Sequence, residues 1–189
     1  LRDSPVTDVH VFGRRGPAQV KFSPLDLRDA LHINGVQAIV YGEDFQYDQG
    51  SQDAIDSNNQ IRVMVKTLEQ LRANPQEPKE RRLHLHFFAS PVEVVGQDGK
   101  VAGLTIEKTK LDGSGGVVTT GEITNFPIQA IYRAVGYFGS PVDKIPFDAK
   151  SGVIPNEAGR VIGENGESLQ GVYCTGWIKR GPVGLIGHT

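Results

Sequence analysis

Cysteine, methionine and tryptophan each occur once in these 189 residues, aromatic residues make up only 7%, and neither sign of charge dominates. The lone Cys174 excludes an intrachain disulfide framework and a cysteine-built zinc cluster. It suits a reducing compartment, so a cytoplasmic location is expected. Twenty Lys and Arg against 22 Asp and Glu leave a formal charge of −2. That balance supplies no global pull toward nucleic acid or an anionic membrane, and neither is expected as a partner. No apolar run approaches the ~20 residues of a membrane-spanning helix. The opening LRDSPVTDVH has no signal-peptide core. Heptads, fixed-period repeats and long low-complexity tracts are missing. So are the triphosphate loop G-x-x-x-x-G-K-[ST] and the fingerprint G-x-G-x-x-G; Gly181, Gly184 and Gly187 are spaced G-x-x-G-x-x-G instead.

What the chain has in quantity is punctuation: 23 Gly and 11 Pro. They divide it into many short elements. Val6 to Phe12 reads as a buried strand ended by Gly13. Ser23 reads as an N-cap with Pro24 at the first helical position, and Leu25, Leu27 and Leu31 give that helix its apolar side. Val36 to Tyr41 is a second strand. Strand, loop, helix, strand is the grammar of a parallel sheet. Residues 43–60 are polar and read as a loop or a solvated helix. Ile61, Val65, Leu68 and Leu71 then recur at helical spacing. From Leu83 the period drops to two, and turn signals at Gln97-Asp98-Gly99 and at Asp112 to Gly116 separate further strands. Residues 82–126 therefore read as an antiparallel meander inserted into a parallel α/β frame. Ile128 to Val135 is expected to rejoin the frame as a strand, and Val172-Tyr173-Cys174 to be a short buried strand.

Two segments carry chemistry. The first is Gly13-Arg14-Arg15-Gly16-Pro17, directly after a strand. Where the second strand of a dinucleotide fold ends, a carboxylate selects the free 2′-hydroxyl and arginine selects the 2′-phosphate. A guanidinium is always charged and bonds phosphate through a planar fork. At about 1.5–3 kcal/mol for each charge-assisted bond, two such bonds favour NADP over NAD by ~10²–10⁴. A solvated basic turn would have the same sequence. The second segment runs from Gly171 to Ile186. A strand leads through a glycine-rich turn to a helix start, where backbone N–H groups suit an electron-rich group such as a flavin carbonyl. Trp177 offers a flat face there, and a glycine-capped helix start with a packing tryptophan is the plainer alternative. His84 and His86 share a strand face, but no third ligand lies near them in sequence. They read as exposed strand histidines, and no metal is expected. Cys174 reads as a core filler and Lys79 to Arg82 as a solvated basic run.

The strings Val9-x-Val11-Phe12-Gly13-Arg14-Arg15-Gly16-Pro17-x-Gln19, Phe88-x-Ser90-Pro91, Val135-Gly136-Tyr137, Ile154-Pro155-Asn156 and Gly176-Trp177-Ile178-Lys179-Arg180-Gly181-Pro182-x-Gly184-x-Ile186-Gly187 occur in this order. The sequence thereby resembles the adrenodoxin reductase-like ferredoxin–NADP reductases, the mycobacterial type most of all. The resemblance implies a Rossmann-like FAD/NAD(P)-binding fold, with FAD and NADP as cofactors and an iron–sulfur ferredoxin as partner. It implies that hydride passes from NADPH to flavin and single electrons pass on to ferredoxin. It assigns Arg14 and Arg15 to the 2′-phosphate, Asp26 to the adenosine site in place of the family's glutamate, and Trp177, Gly184, Leu185 and Ile186 to the flavin. The cofactors carry the reaction, so no catalytic acid–base residue is expected. The family's two glycine fingerprints are absent. The expected division is therefore the distal part of an NADP-binding domain over 1–143 and a returning segment of the FAD-binding domain over 144–189, with the piece inactive by itself. The alternatives are a flavoprotein like the small subunit of glutamate synthase, which would carry Gly-Asp in place of Gly176-Trp177, and a non-catalytic NADP-binding module.

Overall fold

The computed structural model describes residues 4–136 and 138–181, in two compact units that divide between Ile131 and Tyr132. The first unit opens with Asp8–Phe12 (β1), Pro24–Leu31 (α1), Val36–Val40 (β2), Gln49–Ser57 (α2), Asn59–Ala73 (α3) and Arg81–His86 (β3). The three strands make a parallel sheet in the order β1-β3-β2. Ser23 caps α1 by a reciprocal box. Its hydroxyl accepts from the Asp26 N–H, and the Asp26 carboxylate accepts from the Ser23 N–H. Asp48 and Asn58 cap α2 and α3 one way only: the Asp48 carboxylate accepts from the Ser51 N–H, and the Asn58 side chain from the Gln60 and Ile61 N–H groups. The polar stretch 43–60 thus contains a helix, and Ser51 on it is fully buried.

One face of the parallel sheet is apolar. Leu27 of α1, Met64 and Leu68 of α3 and Leu85 of β3 are buried together with Phe87 and Phe88. Each such side chain contributes about 1.5–3 kcal/mol on burial, which fixes both helices on that face. The opposite face is aromatic and polar. His10 and Phe12 of β1 stack with His84 and His86 of β3, and Tyr41 stacks on those two histidines from the other side of β3, with ring centroids 4.2–6.3 Å apart. Phe126 meets this layer edge-on. Asp8 joins it through Arg82 at 2.6 Å and His84 at 3.0 Å. Burial and the neighbouring imidazoles push His86 down to about 4.

The exposed-histidine expectation is therefore corrected: His84 is buried and His86 half-buried. The Leu/His alternation of β3 separates two covered faces, not core from solvent. For the same reason β3 belongs to the parallel sheet, and the meander begins at Ala89 and not at residue 82.

The meander consists of Ala89–Gln97 (β4), Lys100–Leu111 (β5) and Val117–Phe126 (β6), all antiparallel. Asp98 and Gly99 both have positive φ, 52° and 73°, as a two-residue type I′ hairpin demands. The Asp112–Gly116 loop closes against α2: the Gly115 N–H donates to the Asp48 carboxylate at 2.8 Å. Residues 128–135 do not form the expected strand and are mostly exposed. Their apolar residues find no ladder partner among the described strands, and a strand does not exist without one.

The second unit holds Asn156–Glu157 (β7), Arg160–Ile162 (β8) and Ser168–Tyr173 (β9) in a small antiparallel sheet, followed by the single-turn helix Trp177–Arg180 (α4). Tyr173 is 70% exposed and Cys174 only half-buried, so the short buried strand expected there is a largely exposed one.

Candidate functional site

The Gly13–Arg15 loop lies where β1 and β3 end, at the carboxyl edge of the parallel sheet. The chain leaves β1 through Gly13, whose N–H donates to the His86 carbonyl at 2.9 Å and whose carbonyl accepts from the Ala89 N–H at 2.9 Å. The Arg14 carbonyl accepts from the Thr109 hydroxyl at 2.7 Å. The Arg15 carbonyl accepts from the Phe88 N–H at 3.2 Å. Every carbonyl from Gly13 to Arg15 is thus pinned to the β3–β4 corner or to β5. Both arginine side chains are exposed, and neither guanidinium makes an ion pair or hydrogen bond among the described residues. A fixed backbone with two uncommitted cations has donor chemistry that suits a dianion.

Two details explain the loop's rigidity. Phe88 is buried with φ +54°, a left-handed conformation rare for a bulky residue. Strain of this kind costs about 1–3 kcal/mol and persists only where surrounding contacts over-determine it. Here the contacts are the Arg15 carbonyl on the Phe88 N–H and the Thr109 N–H on the Phe88 carbonyl at 2.8 Å. The second detail is Gly16: a Cβ there would lie 2.5 Å from Cζ of Phe88. The ring lies where any side chain at position 16 would have to be. The sequence shows Gly16 and Phe88 as members of separate strings; only the fold shows that one requires the other.

Asp26 lies on the first turn of α1 and is exposed. Its carboxylate accepts from both the N–H and the hydroxyl of Ser23, at 2.9 and 2.7 Å, and these bonds lower its pKa. The structure thus gives it a helix-capping role. Asp44 lies in the turn after β2. It is buried and accepts from the Phe87 N–H at 2.9 Å, and burial raises its pKa to about 6.

Trp177 belongs to the second unit, 41% exposed, at the start of α4. Gly176 and Gly181 flank that turn with φ of 73° and 84°. Asn156 holds the turn from behind. Its Nδ2 donates to the Lys179 carbonyl at 2.7 Å and to the Ile154 carbonyl at 2.8 Å, and its Oδ1 accepts from the Gly159 N–H at 3.1 Å. The Ile154 N–H donates to the Ile178 carbonyl at 2.8 Å. The strings Ile154-Pro155-Asn156 and Trp177-Ile178-Lys179 thus form one structural piece. Gly184, Leu185 and Ile186 lie outside the described residues. A shallow hollow of about 440 Å³ on the meander, lined by Val95, Leu104, Phe126 and Pro127, includes none of the predicted site residues.

No protein-family model matches the chain. Over its whole length the chain is 38% identical to the mitochondrial NADPH:adrenodoxin oxidoreductase of Rattus norvegicus. Over 99% of its length it is 36% identical to the NADPH-ferredoxin reductase FprA of Mycobacterium tuberculosis. In each case it spans 40% of the relative's length. The solved structure of Mycobacterium tuberculosis FprA in complex with NADPH matches 96% of the chain, with a TM-score of 0.78 and 35% identity, and 39% of that protein is covered. The fold is the expected FAD/NAD(P)-binding α/β type.

Proposed function

We propose that this chain, a homologue of the adrenodoxin reductase-like ferredoxin–NADP reductases along its whole length, reads the 2′-phosphate of NADPH and helps to seat a flavin in an oxidoreductase that passes electrons to an iron–sulfur ferredoxin. The observation that carries the reading is the Arg14-Arg15 loop: two exposed guanidiniums without ion-pair partners, on a backbone whose carbonyls are all pinned. That donor set fits a phosphate dianion and would disfavour nothing in NADPH, whereas NADH leaves both cations without a partner.

Arg14 and Arg15 would hold the adenosine end of the coenzyme and leave its nicotinamide to be positioned elsewhere. Asp26 would meet adenosine through its second carboxylate oxygen, Oδ1, because Oδ2 takes both bonds from Ser23. Trp177, with Gly184, Leu185 and Ile186, would line the flavin. The turn fits that task, because Asn156 fixes the carbonyls behind it and two positive-φ glycines keep its outer side bare. When bound, the flavin supplies the conversion between hydride and single-electron transfer. The chain's residues orient and select; none of them needs to move a proton.

The chain's place is taken to be the cytoplasm, in line with one half-buried free cysteine and no helix long and apolar enough to cross a membrane among the described residues. The test is electron transfer from NADPH and from NADH to a ferredoxin, measured on the flavin-loaded protein that contains this chain. Rapid ferredoxin reduction from NADPH, at least ~10²-fold more efficient than from NADH, is the expected outcome. Glutamate formation with a partner subunit would favour the glutamate-synthase alternative. Coenzyme binding without electron transfer would favour the non-catalytic module.

A further inference from the structure

The aromatic face of the parallel sheet gathers three imidazoles that the reductase reading does not use. His84 and His86 point to the same side of β3 because strand side chains alternate, and the parallel register places His10 of β1 opposite His84. One nitrogen from each ring lies within 4.8 Å of the other two. Nδ1 of His10 is 2.9 Å from Nε2 of His86. Nε2 of His84 is 3.0 Å from Oδ1 of Asp8, and the Tyr41 hydroxyl is 2.8 Å from the other nitrogen of that ring.

We propose that His10, His84 and His86 form a site for one divalent first-row transition-metal ion of the zinc class, with the Asp8 carboxylate, now beside His84 and outside the group of mutually close nitrogens, drawn in as fourth donor. A tetrahedral zinc ion holds nitrogen donors at about 2.0–2.1 Å, which sets neighbouring donors about 3.3 Å from one another. The His10–His86 and His84–Asp8 pairs already approach that spacing. Imidazoles with one carboxylate suit zinc, copper or nickel and not magnesium or calcium.

Loading changes tautomers but not charge. The proton between His10 and His86 moves to the far nitrogen of its own ring. His84 shifts its proton from Nε2 to Nδ1, where the Tyr41 hydroxyl accepts it. Such an outer partner is what orients a metal-ligating histidine. The rings now stack within 9–19° of parallel. An ion lies in the plane of each ring that binds it, so loading turns the rings out of this stack. Arg82 holds both Asp8 oxygens, at 2.6 and 2.9 Å. That leaves the three histidines as the committed donors and the carboxylate as the one that must be shared.

The test titrates Zn²⁺ into the untagged protein by calorimetry in a non-chelating buffer, and records the visible absorption of the Co²⁺-loaded protein. The expected result is one ion per chain with micromolar or tighter Kd, and the intense absorption of four-coordinate Co²⁺. Binding weakens at least about tenfold in His10→Gln and in His86→Gln. It is unchanged in His32→Gln, at the exposed end of α1. Saturation only above ~1 mM, a weak octahedral Co²⁺ spectrum, or full affinity in both variants overturns the proposal. Where either variant fails to fold in chelator, the Co²⁺ spectrum of the unaltered protein decides.

Discussion

Replacing Asp44 by asparagine stabilises the protein at neutral pH and changes little near pH 4. The Asp44 carboxyl is 7% exposed and accepts from the Phe87 N–H at 2.9 Å, beside the sheet edge that carries the arginine loop. Burial raises its pKa from 3.8 to about 6, with Glu43 adding to the shift, while the Phe87 N–H and Lys108 oppose it. Below pH 3.8 the group is protonated in both folded and unfolded chains and has no effect on their balance. Between 3.8 and about 6 only the folded chain holds the proton, so each rise in pH weakens the fold. Above that window the loss is complete, about 3 kcal/mol at 1.36 kcal/mol per unit. Asparagine keeps an acceptor for Phe87 and cannot ionise. Its NH2 group has two donors in place of one O–H, but neither Asp44 oxygen is both fully buried and without a partner, so the exchange costs little at low pH. Urea unfolding followed by circular dichroism at pH 4 and pH 7.5 gives the variant-minus-parent difference at each pH. Other titrating groups cancel in that difference. It should grow by about 2–3 kcal/mol from the lower pH to the higher, or of order 10 °C in melting temperature. A difference independent of pH, or a variant weaker than the parent at pH 7.5, refutes the reasoning.

Three further substitutions probe the scaffold. Gly16→Ala sets a Cβ 2.5 Å from the buried Phe88 ring and lowers stability by about 1–3 kcal/mol in thermal melts. Asn156→Ala unties the Lys179 and Ile154 carbonyls and the Gly159 N–H. It costs about 1–3 kcal/mol and shifts the emission of Trp177, the protein's only tryptophan. Asp48→Ala removes the cap of α2 and the tether of Gly115 together. It costs about 1–2 kcal/mol in urea unfolding and speeds amide exchange at Gly115.

The legible parts of this fold are those whose cause is local. Ser23-Pro24 announces α1 because a cap and its helix start are adjacent in sequence. Asp98-Gly99 announces its hairpin because both residues tolerate positive φ. Val65, Leu68 and Leu71 of α3 announce themselves by spacing, whereas Ile61 of the same pattern is only half-buried and the fourth buried position is Met64. The features that did not show depend on partners far along the chain. Helix α2 has almost no apolar stripe and is held by Asp48, which also binds Gly115 in the meander. Strand β3 alternates as an antiparallel strand would, yet pairs in parallel on both sides. His10 becomes a neighbour of His84 only through that pairing. At the candidate site, Arg14 and Arg15 were legible as a charge pattern after a strand. The pinned carbonyls that make the pattern rigid come from Phe88 and Thr109, and no local signal connects them.

The most direct measurement compares adenosine 2′,5′-bisphosphate with adenosine 5′-monophosphate by calorimetry, for the protein and for Arg14→Gln combined with Arg15→Gln. The two ligands differ only in the 2′-phosphate, so their ratio isolates the group the arginines are held to read. The parent should prefer the bisphosphate by about 10²-fold or more, and the double variant should lose nearly all of that preference while binding the monophosphate as before. Equal binding of the two ligands by the parent, or a preference that survives loss of both guanidiniums, contradicts the account.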